Sequence, residues 1–215
     1  MSKKSNSLFM AGALVGAALV PAYVWAILPW HRRWGASDEE IRQPLPGDDI
    51  VTQPKLDSTR AITIQATPDQ IWPWLVQLGQ GRGGMYSYEA LENLVGCDIH
   101  NADRILPEYQ NLQEGDEIRM GPEGFPSYTV AEIQSERALV LRGRDPQTQE
   151  PGPASWTFAL ERQPDGSTRL ISRQRGDYEP GLANFVIWRV FTEPISFIME
   201  QKMLRTLKQR VESAV

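Results

Sequence analysis

The sequence contains one cysteine, Cys97, and only two histidines, and these shortages exclude several classes of protein. A single cysteine cannot form an intrachain disulfide framework or a zinc site built from several cysteines. The two histidines, His31 and His100, give no basis for assembling a Ser-His-Asp arrangement with any particular serine. No repeat of about 20 to 50 residues is evident, so the sequence gives no support for a solenoid.

Basic residues are also too few and too dispersed for a surface that binds nucleic acid. The 215 residues include 22 Lys and Arg against 27 Asp and Glu, which gives a net charge of −5. Proteins that bind nucleic acid concentrate positive charge on one face or along one helix. We therefore expect no nucleic-acid partner. At roughly 150 residues per domain, the length predicts one sizeable domain with additional segments.

One long segment, residues 8–30, contains no charged side chain. About 20 apolar residues suffice to cross a bilayer as a helix, whereas the apolar core of a signal peptide has about 7 to 15. The segment therefore predicts a single-pass transmembrane helix after a short tail, residues 1–7. A cleaved signal peptide is the alternative, because the small residues Ala22 and Ala26 suit a signal peptidase.

The side of the membrane that carries the remaining chain stays open. Two lysines before the predicted helix nearly balance two arginines after it, and the positive-inside rule needs an asymmetry to decide. Within the helix, Gly12 and Gly16 form a G-x-x-x-G pair that lets two helices approach closely. This pair predicts a weak homodimer through the membrane.

Residues 31–58 follow the predicted helix, are rich in proline and acidic side chains, and lack a sustained apolar period. This composition predicts a linker that separates a folded domain, residues 59–215, from the membrane. The domain begins with a strand over 60–66, and then Thr67 and Gln70 form a capping box at the start of a helix. Alternation and turn signals predict further strands and a last helix, over 116–120, 127–133, 138–142, 155–161, 168–175 and 195–213.

Two segments carry a resemblance to a known family. The first, ATPDQIWPWLVQLGQG over 66–81, is similar to the first strand-helix unit of the START-like SRPBCC superfamily, which includes polyketide cyclase/dehydrase-like and lipid-transfer proteins. The second, GRGGMYSYEALENLVGCDIHNADRI over 81–105, together with WHRRWGASDEE after the apolar segment, resembles a membrane-anchored bacterial group of that superfamily. As an architecture, the resemblance extends over the chain from about residue 60 to about residue 211.

The resemblance implies an α+β helix-grip fold, in which a curved antiparallel sheet wraps on a long C-terminal helix, preceded here by one transmembrane helix. It also implies an apolar cavity between sheet and helix for a lipid, a polyketide or another hydrophobic small molecule. We expect the chain to bind such a molecule rather than to be an enzyme. The alternatives are a cyclase- or dehydratase-like enzyme that uses the same cavity, and a protein-interaction module with a filled core.

The candidate site residues come from the loop after the first helix and from the elements expected around the cavity. His100, with an unperturbed pKa near neutrality, and Tyr86 are the candidate catalytic pair for the enzyme alternative. The candidate ligand-binding residues are Trp72, Tyr86, Tyr88, His100, Arg104, Trp156, Phe158, Met199 and Met203.

Two short motifs in the same loop have ordinary structural explanations. Gly79, Gly81 and Gly84 match G-x-G-x-x-G, but they follow a predicted helix, whereas the dinucleotide fingerprint precedes one. Asp98, His100 and Asp103 offer metal ligands at short spacing without a second histidine or a cysteine cluster. We therefore expect no metal and no cofactor.

Overall fold

The chain folds around a six-stranded antiparallel sheet, in a computed structural model that describes residues 23–145 and 148–214. The strand order is β1-β6-β5-β4-β3-β2. The strands are β1 (Leu56–Ile64), β2 (Glu117–Arg119), β3 (Ser127–Gln134), β4 (Ala138–Arg144), β5 (Pro151–Arg162) and β6 (Thr168–Gly176). Each strand predicted from alternation is present, and β1 begins before the predicted boundary at 59.

The helices lie at both ends of the chain and between the first two strands. They are α1 (Leu28–Arg32), α2 (Asp38–Arg42), α3 (Pro68–Val76), α4 (Glu89–Leu94), α5 (Leu182–Phe185) and α6 (Glu193–Ala214). A π-helical turn, Tyr23–Ile27, leads into α1, and a π-helical segment, Val186–Thr192, joins α5 to α6. The predicted capping box of Thr67 and Gln70 is present at the start of α3.

The two faces of the sheet are covered by different parts of the chain. Successive side chains of a strand point to opposite faces, so Leu139, Leu141, Trp156 and Phe158 share the inner face with α3 and α6. A long helix packed on an antiparallel sheet gives an α+β architecture consistent with the expected helix-grip fold. The outer face carries the alternate residues of the same strands.

The outer face is covered by a segment that we call the strap, residues 33–53. Leu45 packs with Ala61, Ala159 and Ile171 in a second apolar cluster. The backbone carbonyl of Trp34 accepts a hydrogen bond from the N–H of Ala61 at 3.1 Å. The structure thus differs from the predicted linker over 31–58, because apolar and ionic contacts hold most of this segment against the sheet.

Arginines of β6 hold the strap in place. The guanidinium of Arg173 is buried and donates to Thr59, Glu40, Ile41, Gln43 and Asp48 at 2.7 to 3.1 Å. Arg169 pairs with Glu40 at 2.7 Å, and Arg175 donates to the carbonyl of Asp48 at 2.6 Å. The alternation of β6 brings all three arginines to the outer face, where they meet the acidic residues that made this segment resemble a linker.

The first turns of the C-terminal helix bury different side chains from the predicted ones, whereas Met203, Leu207 and Val211 of the predicted row are buried. The sequence predicts a buried row at every fourth residue from Ile195, flanked by Ile198. These two side chains are instead 59% and 49% exposed. Because a helix has 3.6 residues per turn, a buried row must alternate steps of three and four residues. The observed row is Phe197, Glu200, Leu204, Leu207 and Val211.

The predicted transmembrane segment is described only at its C-terminal end. Its residues 8–22 lie outside the described residues, and 23–30 form the π-helical turn and most of α1. The ring of Trp30 meets that of Phe197 on α6 at 5.2 Å, so this end of the segment contacts the domain. Among the described residues, one helical run, Leu182–Ala214, has the length and apolar composition of a membrane span, a measure that core helices of soluble proteins also satisfy.

Candidate functional site

The glycine-rich loop after α3 is fixed from inside by Gln77. Its side chain donates to the hydroxyl of Tyr86 at 2.8 Å and to the carbonyl of Arg104 at 3.1 Å. It also accepts from the N–H of Leu106 at 2.9 Å, and Gln77 is fully buried. Gly79 and Gly84 form an isolated antiparallel bridge that closes the turn. Here the glycines make a tight turn behind a helix, as their position in the sequence predicted.

Tyr86 lies in the core. It is 0% exposed, and its ring meets that of Trp74 edge-on at 6.0 Å. Its hydroxyl donates to the carbonyl of Trp74 at 3.3 Å. Burial raises the pKa of Tyr86 to about 12, against a smaller opposing effect of the hydrogen bond with Gln77. The hydroxyl therefore keeps its proton at neutral pH.

His100 lies on the surface, with 76% of its side chain exposed. Its two ring nitrogens lie 3.2 Å from Glu89 and 3.2 Å from Asp98. The hydrogen bond to Glu89, with a further contribution from Asp98, raises the pKa of His100. Within 23–145 and 148–214, no group of three His, Cys, Asp or Glu side chains has metal-binding geometry. The structure thus places His100 in solvent and Tyr86 in the interior.

The other candidate ligand-binding residues divide between core and surface. Trp156, Phe158 and Met203 are buried between the inner face of the sheet and α6, where the cavity is expected. Trp72 packs against the edge of this core, and Met199 is half-buried. Two residues are exposed, Tyr88 below Lys202 and Arg104 in the loop. The aromatic side chains that would contact a ligand pack against each other, with ring centroids of Trp156 and Phe158 at 4.8 Å.

An ion pair that the sequence analysis did not identify lies in this interior. Arg60 on β1 pairs with Glu200 on α6, and their side chains are only 3% and 2% exposed. The Nε of Arg60 also donates to the carbonyl of His31 at 2.9 Å. Oε1 of Glu200 is buried and receives no hydrogen bond from the described residues. Each member carried a local signal of burial, because Arg60 shares the inward face with Ile62 and Glu200 interrupts an apolar helix face, but neither signal predicted the pairing.

Polar and aromatic side chains surround the pair. Arg60 lies opposite Ser172 in the sheet, and Ser172 lies opposite Phe158. The hydroxyl of Ser172 accepts from the indole N–H of Trp156 at 2.8 Å. Desolvation, together with the nearby Glu200 carboxylate, raises the pKa of Tyr128 to about 12. The phenol therefore stays neutral and is suited to hydrogen bonding rather than to acting as an anionic base.

A second cluster of charged side chains lies at the start of α6. Glu193 pairs with Arg32 at 2.9 Å and with Arg189 at 3.0 Å. Burial raises the pKa of Glu193, and the positive charge of Arg32 opposes that shift. The ring of His31 stacks on Phe197 at 4.2 Å, and burial lowers the pKa of this histidine, with a further contribution from Arg60. The N-terminal end of α6 is therefore held by charges from α1.

Among the depressions formed by the described residues, two lie elsewhere on the surface. One of about 550 Å³ is lined by Thr129, Arg142 and Arg144, among others, and opens to solvent on the outer side of the sheet. A smaller one of about 280 Å³ lies beside the strap, between Gln43 and Arg175. Neither contains the buried ion pair. The packed interior under α6, where Oε1 of Glu200 receives no hydrogen bond from the described residues, is the candidate functional site.

These features define an α+β domain that is consistent with a helix-grip fold and has a charged pair buried under its long helix. No family model matches the sequence, and no curated protein matches it. Protein NE0264 from Nitrosomonas europaea is 13% identical, with a TM-score of 0.46 over 80% of this chain and 100% of that one.

Two further solved structures are also similar to this chain. Protein CV1439 from Chromobacterium violaceum is 13% identical, with a TM-score of 0.45 over 73% of this chain and 96% of that one. A conserved protein from Geobacillus kaustophilus is 14% identical, with a TM-score of 0.43 over 74% and 97% of the two chains. At these values the comparisons carry no conclusion about a ligand or a reaction.

Proposed function

We propose that this chain is a single-pass membrane protein whose domain binds a lipid or another hydrophobic small molecule between the inner face of the sheet and α6. The molecule carries a hydroxyl or amide N–H group that donates to Oε1 of Glu200. Its apolar part contacts Trp156, Phe158 and Met203. Anchoring through residues 8–30 keeps the domain close to a ligand dissolved in the membrane, at high effective concentration.

The observation that carries the proposal is the unsatisfied carboxylate oxygen of Glu200. More than about 90% of buried polar groups in proteins are hydrogen-bonded, and a buried acceptor without a donor costs about 1 to 3 kcal/mol. A ligand donor removes that cost. The buried row of α6 has two charged members, and the other one, Glu193, is paired with both Arg32 and Arg189.

The packing of the interior sets a condition on binding. Trp156 and Phe158 are 4% and 0% exposed, so they must move apart to admit a ligand. Met203 lies on the opposing helix, and its flexible side chain adapts to a new neighbour at low cost. The same close packing favours a second candidate function, a protein-interaction module with a filled core, which binds no small molecule.

The test uses the full chain, purified in a mild detergent and incubated with a polar lipid extract from bacterial membranes. Native mass spectrometry then reads the adducts. The double variant Arg60→Met with Glu200→Leu removes the acceptor and fills the space with apolar side chains, a replacement that buried ion pairs usually tolerate. We expect a lipid adduct on the wild-type protein and about 10- to 100-fold weaker binding by the double variant, as the loss of a charge-assisted hydrogen bond predicts.

Two controls make the result specific. Arg142→Ala, on the outer face of the sheet, should bind as the wild-type protein does. The melting temperature of the double variant shows whether its fold is intact. Equal adducts on wild type and on a folded double variant would remove Glu200 from the site, and no adduct on the wild type would favour the filled-core interaction module. No reaction is proposed, because His100 and Tyr86 lie in different environments; unchanged binding by His100→Ala would agree with that.

A further inference from the structure

An exposed apolar surface runs along the helical segment before and at the start of α6. Five large side chains of this segment point into solvent and are 49% to 81% exposed. We call this surface the apolar face; its members are Leu182, Ile187, Phe191, Ile195 and Ile198. Four of them follow each other at intervals of three or four residues, so they share one side of the helix. Soluble monomers seldom expose a contiguous apolar surface of this kind without a partner.

The charges of the same segment are turned away from the apolar face. Arg189 and Glu193 pair with each other, and only 14% and 11% of their side chains is exposed. Glu193 also pairs with Arg32, and Arg189 donates to the backbone carbonyl of Lys55. Each charge is thus compensated on the side facing the domain. What remains on the outer side is uncharged, which is unusual for a helix exposed to water.

The position of α1 and of the residues before it indicates which partner covers the apolar face. Trp30 contacts the buried ring of Phe197, which lies between Ile195 and Ile198 in the sequence, so α1 packs at the same end of α6 as the apolar face. Trp25, Ile27 and Trp30 are themselves 82%, 45% and 53% exposed. They end the charge-free run that is long enough to cross a bilayer. A membrane crossed by that run would have its boundary near Trp25 and Trp30, at the same end of α6 as the apolar face, and tryptophans are enriched at such a boundary.

We propose that the apolar face, together with Trp25 and Trp30, rests on the lipid bilayer, so that the domain lies flat against the membrane instead of being held away from it. Helices of this kind lie in the interface with their apolar side about 5 to 10 Å deep in the boundary between headgroups and acyl chains. The inference rests on the anchoring part of the proposed function and is independent of the ligand. It also places the start of α6 at the lipid surface.

The experiment measures contact between lipid and the apolar face in the full chain. The protein is reconstituted into phosphatidylcholine vesicles that contain brominated acyl chains, which quench a nearby fluorophore. One variant carries Phe191→Cys and the control carries Arg142→Cys, both with Cys97→Ser, and each is labelled with bimane. Arg142 is exposed on the outer face of the sheet, away from α6. We expect at least about threefold stronger quenching at position 191 than at position 142.

Flotation of the same vesicles separates docking from anchoring. A chain that floats but is quenched equally weakly at both positions is anchored without docking, and this result overturns the inference while leaving the anchor intact. The docking inference is also overturned if the label at position 191 is shielded from water but not quenched. In that case residues 8–22 or a second copy of the chain cover the apolar face. A chain that does not float overturns both the docking inference and the anchoring part of the proposed function.

A second variant keeps the conclusion independent of one label. Ile187→Ser with Ile195→Ser leaves Arg189 and Glu193 unchanged and should leave the fold intact, which the melting temperature checks. The bimane at position 191 should then lose at least half of its quenching, while flotation persists through residues 8–30. Unchanged quenching in this variant would contradict docking through the apolar face.

Discussion

At the residue scale, Glu92 shows how strongly the interior of this domain acts on a carboxyl group. It is only 8% exposed, and Oε2 receives no hydrogen bond from the described residues. Burial raises the pKa of Glu92 to about 7, and the negative charge of Glu89 adds to the shift. The folded pKa exceeds the unfolded one, so the contribution of Glu92 to stability falls as the pH rises from about 4.5 to about 7 and is constant above.

Replacement of Glu92 by Gln removes that penalty and should stabilise the protein increasingly as the pH rises from about 4.5 to about 7, with the full effect above pH 7. We expect the free energy of unfolding to rise by about 1 to 2 kcal/mol at pH 8, allowing for solvent screening, and to be nearly unchanged at pH 4.5. Denaturant titrations at the two pH values measure the difference. Glu108→Gln, at an exposed carboxylate, is the matched control. An equal effect of Glu92→Gln at both pH values would disagree with burial as the cause.

At the element scale, Arg173 makes more hydrogen bonds to the strap than either Arg169 or Arg175 does. Arg173 satisfies three backbone carbonyls of the strap, at Glu40, Ile41 and Gln43, and also contacts the carboxylate of Asp48. Arg173→Ala removes these bonds and leaves the carbonyls without a donor. We expect a loss of about 3 to 5 kcal/mol in the free energy of unfolding, the range for breaking a buried pair.

Limited proteolysis gives a second measurement of the same effect. The strap should become cleavable between 33 and 53 in Arg173→Ala at protease concentrations that leave the wild-type protein intact. Arg142→Ala on the neighbouring part of the sheet should change stability by less than about 0.5 kcal/mol. Similar effects of the two substitutions would show that the strap is held by its apolar contacts instead.

The elements also show which parts of the structure a sequence encodes locally. The strands were predictable because alternation fixes which residues point to each face, as for Trp156 and Phe158. The packing of the strap on the sheet was not predictable. Proline and acidic residues are typical of a solvated linker, and they are equally suited to a segment that pairs with arginines far along the chain. The buried pair of Arg60 and Glu200 joins residues separated by 140 positions, and no local pattern reports such a contact.

At the scale of the whole molecule, the folded unit is longer than the predicted domain over 59–215. A chain that begins at Thr59 lacks the first residues of β1 and the entire strap, so Arg173 is left buried without most of its partners. A chain that begins at Leu28 keeps the whole of β1 and the strap, together with Arg32. We expect cooperative thermal unfolding of the longer chain and none of the shorter one. A cooperative transition in both would show that the strap contributes little.

The carbonyl of His31 lies at the end of the N-terminal segment and accepts a hydrogen bond from Arg60, which holds Glu200. One residue further along, Arg32 is bound to Glu193 at the start of the same helix. The segment 23–32 is therefore bonded directly to the domain at its C-terminal end. A pull along residues 23–32 is transmitted within two bonded contacts to the interior of the molecule. If residues 8–30 cross a bilayer as proposed, tension or thickness changes in the membrane would act as a mechanical load on the buried ion pair.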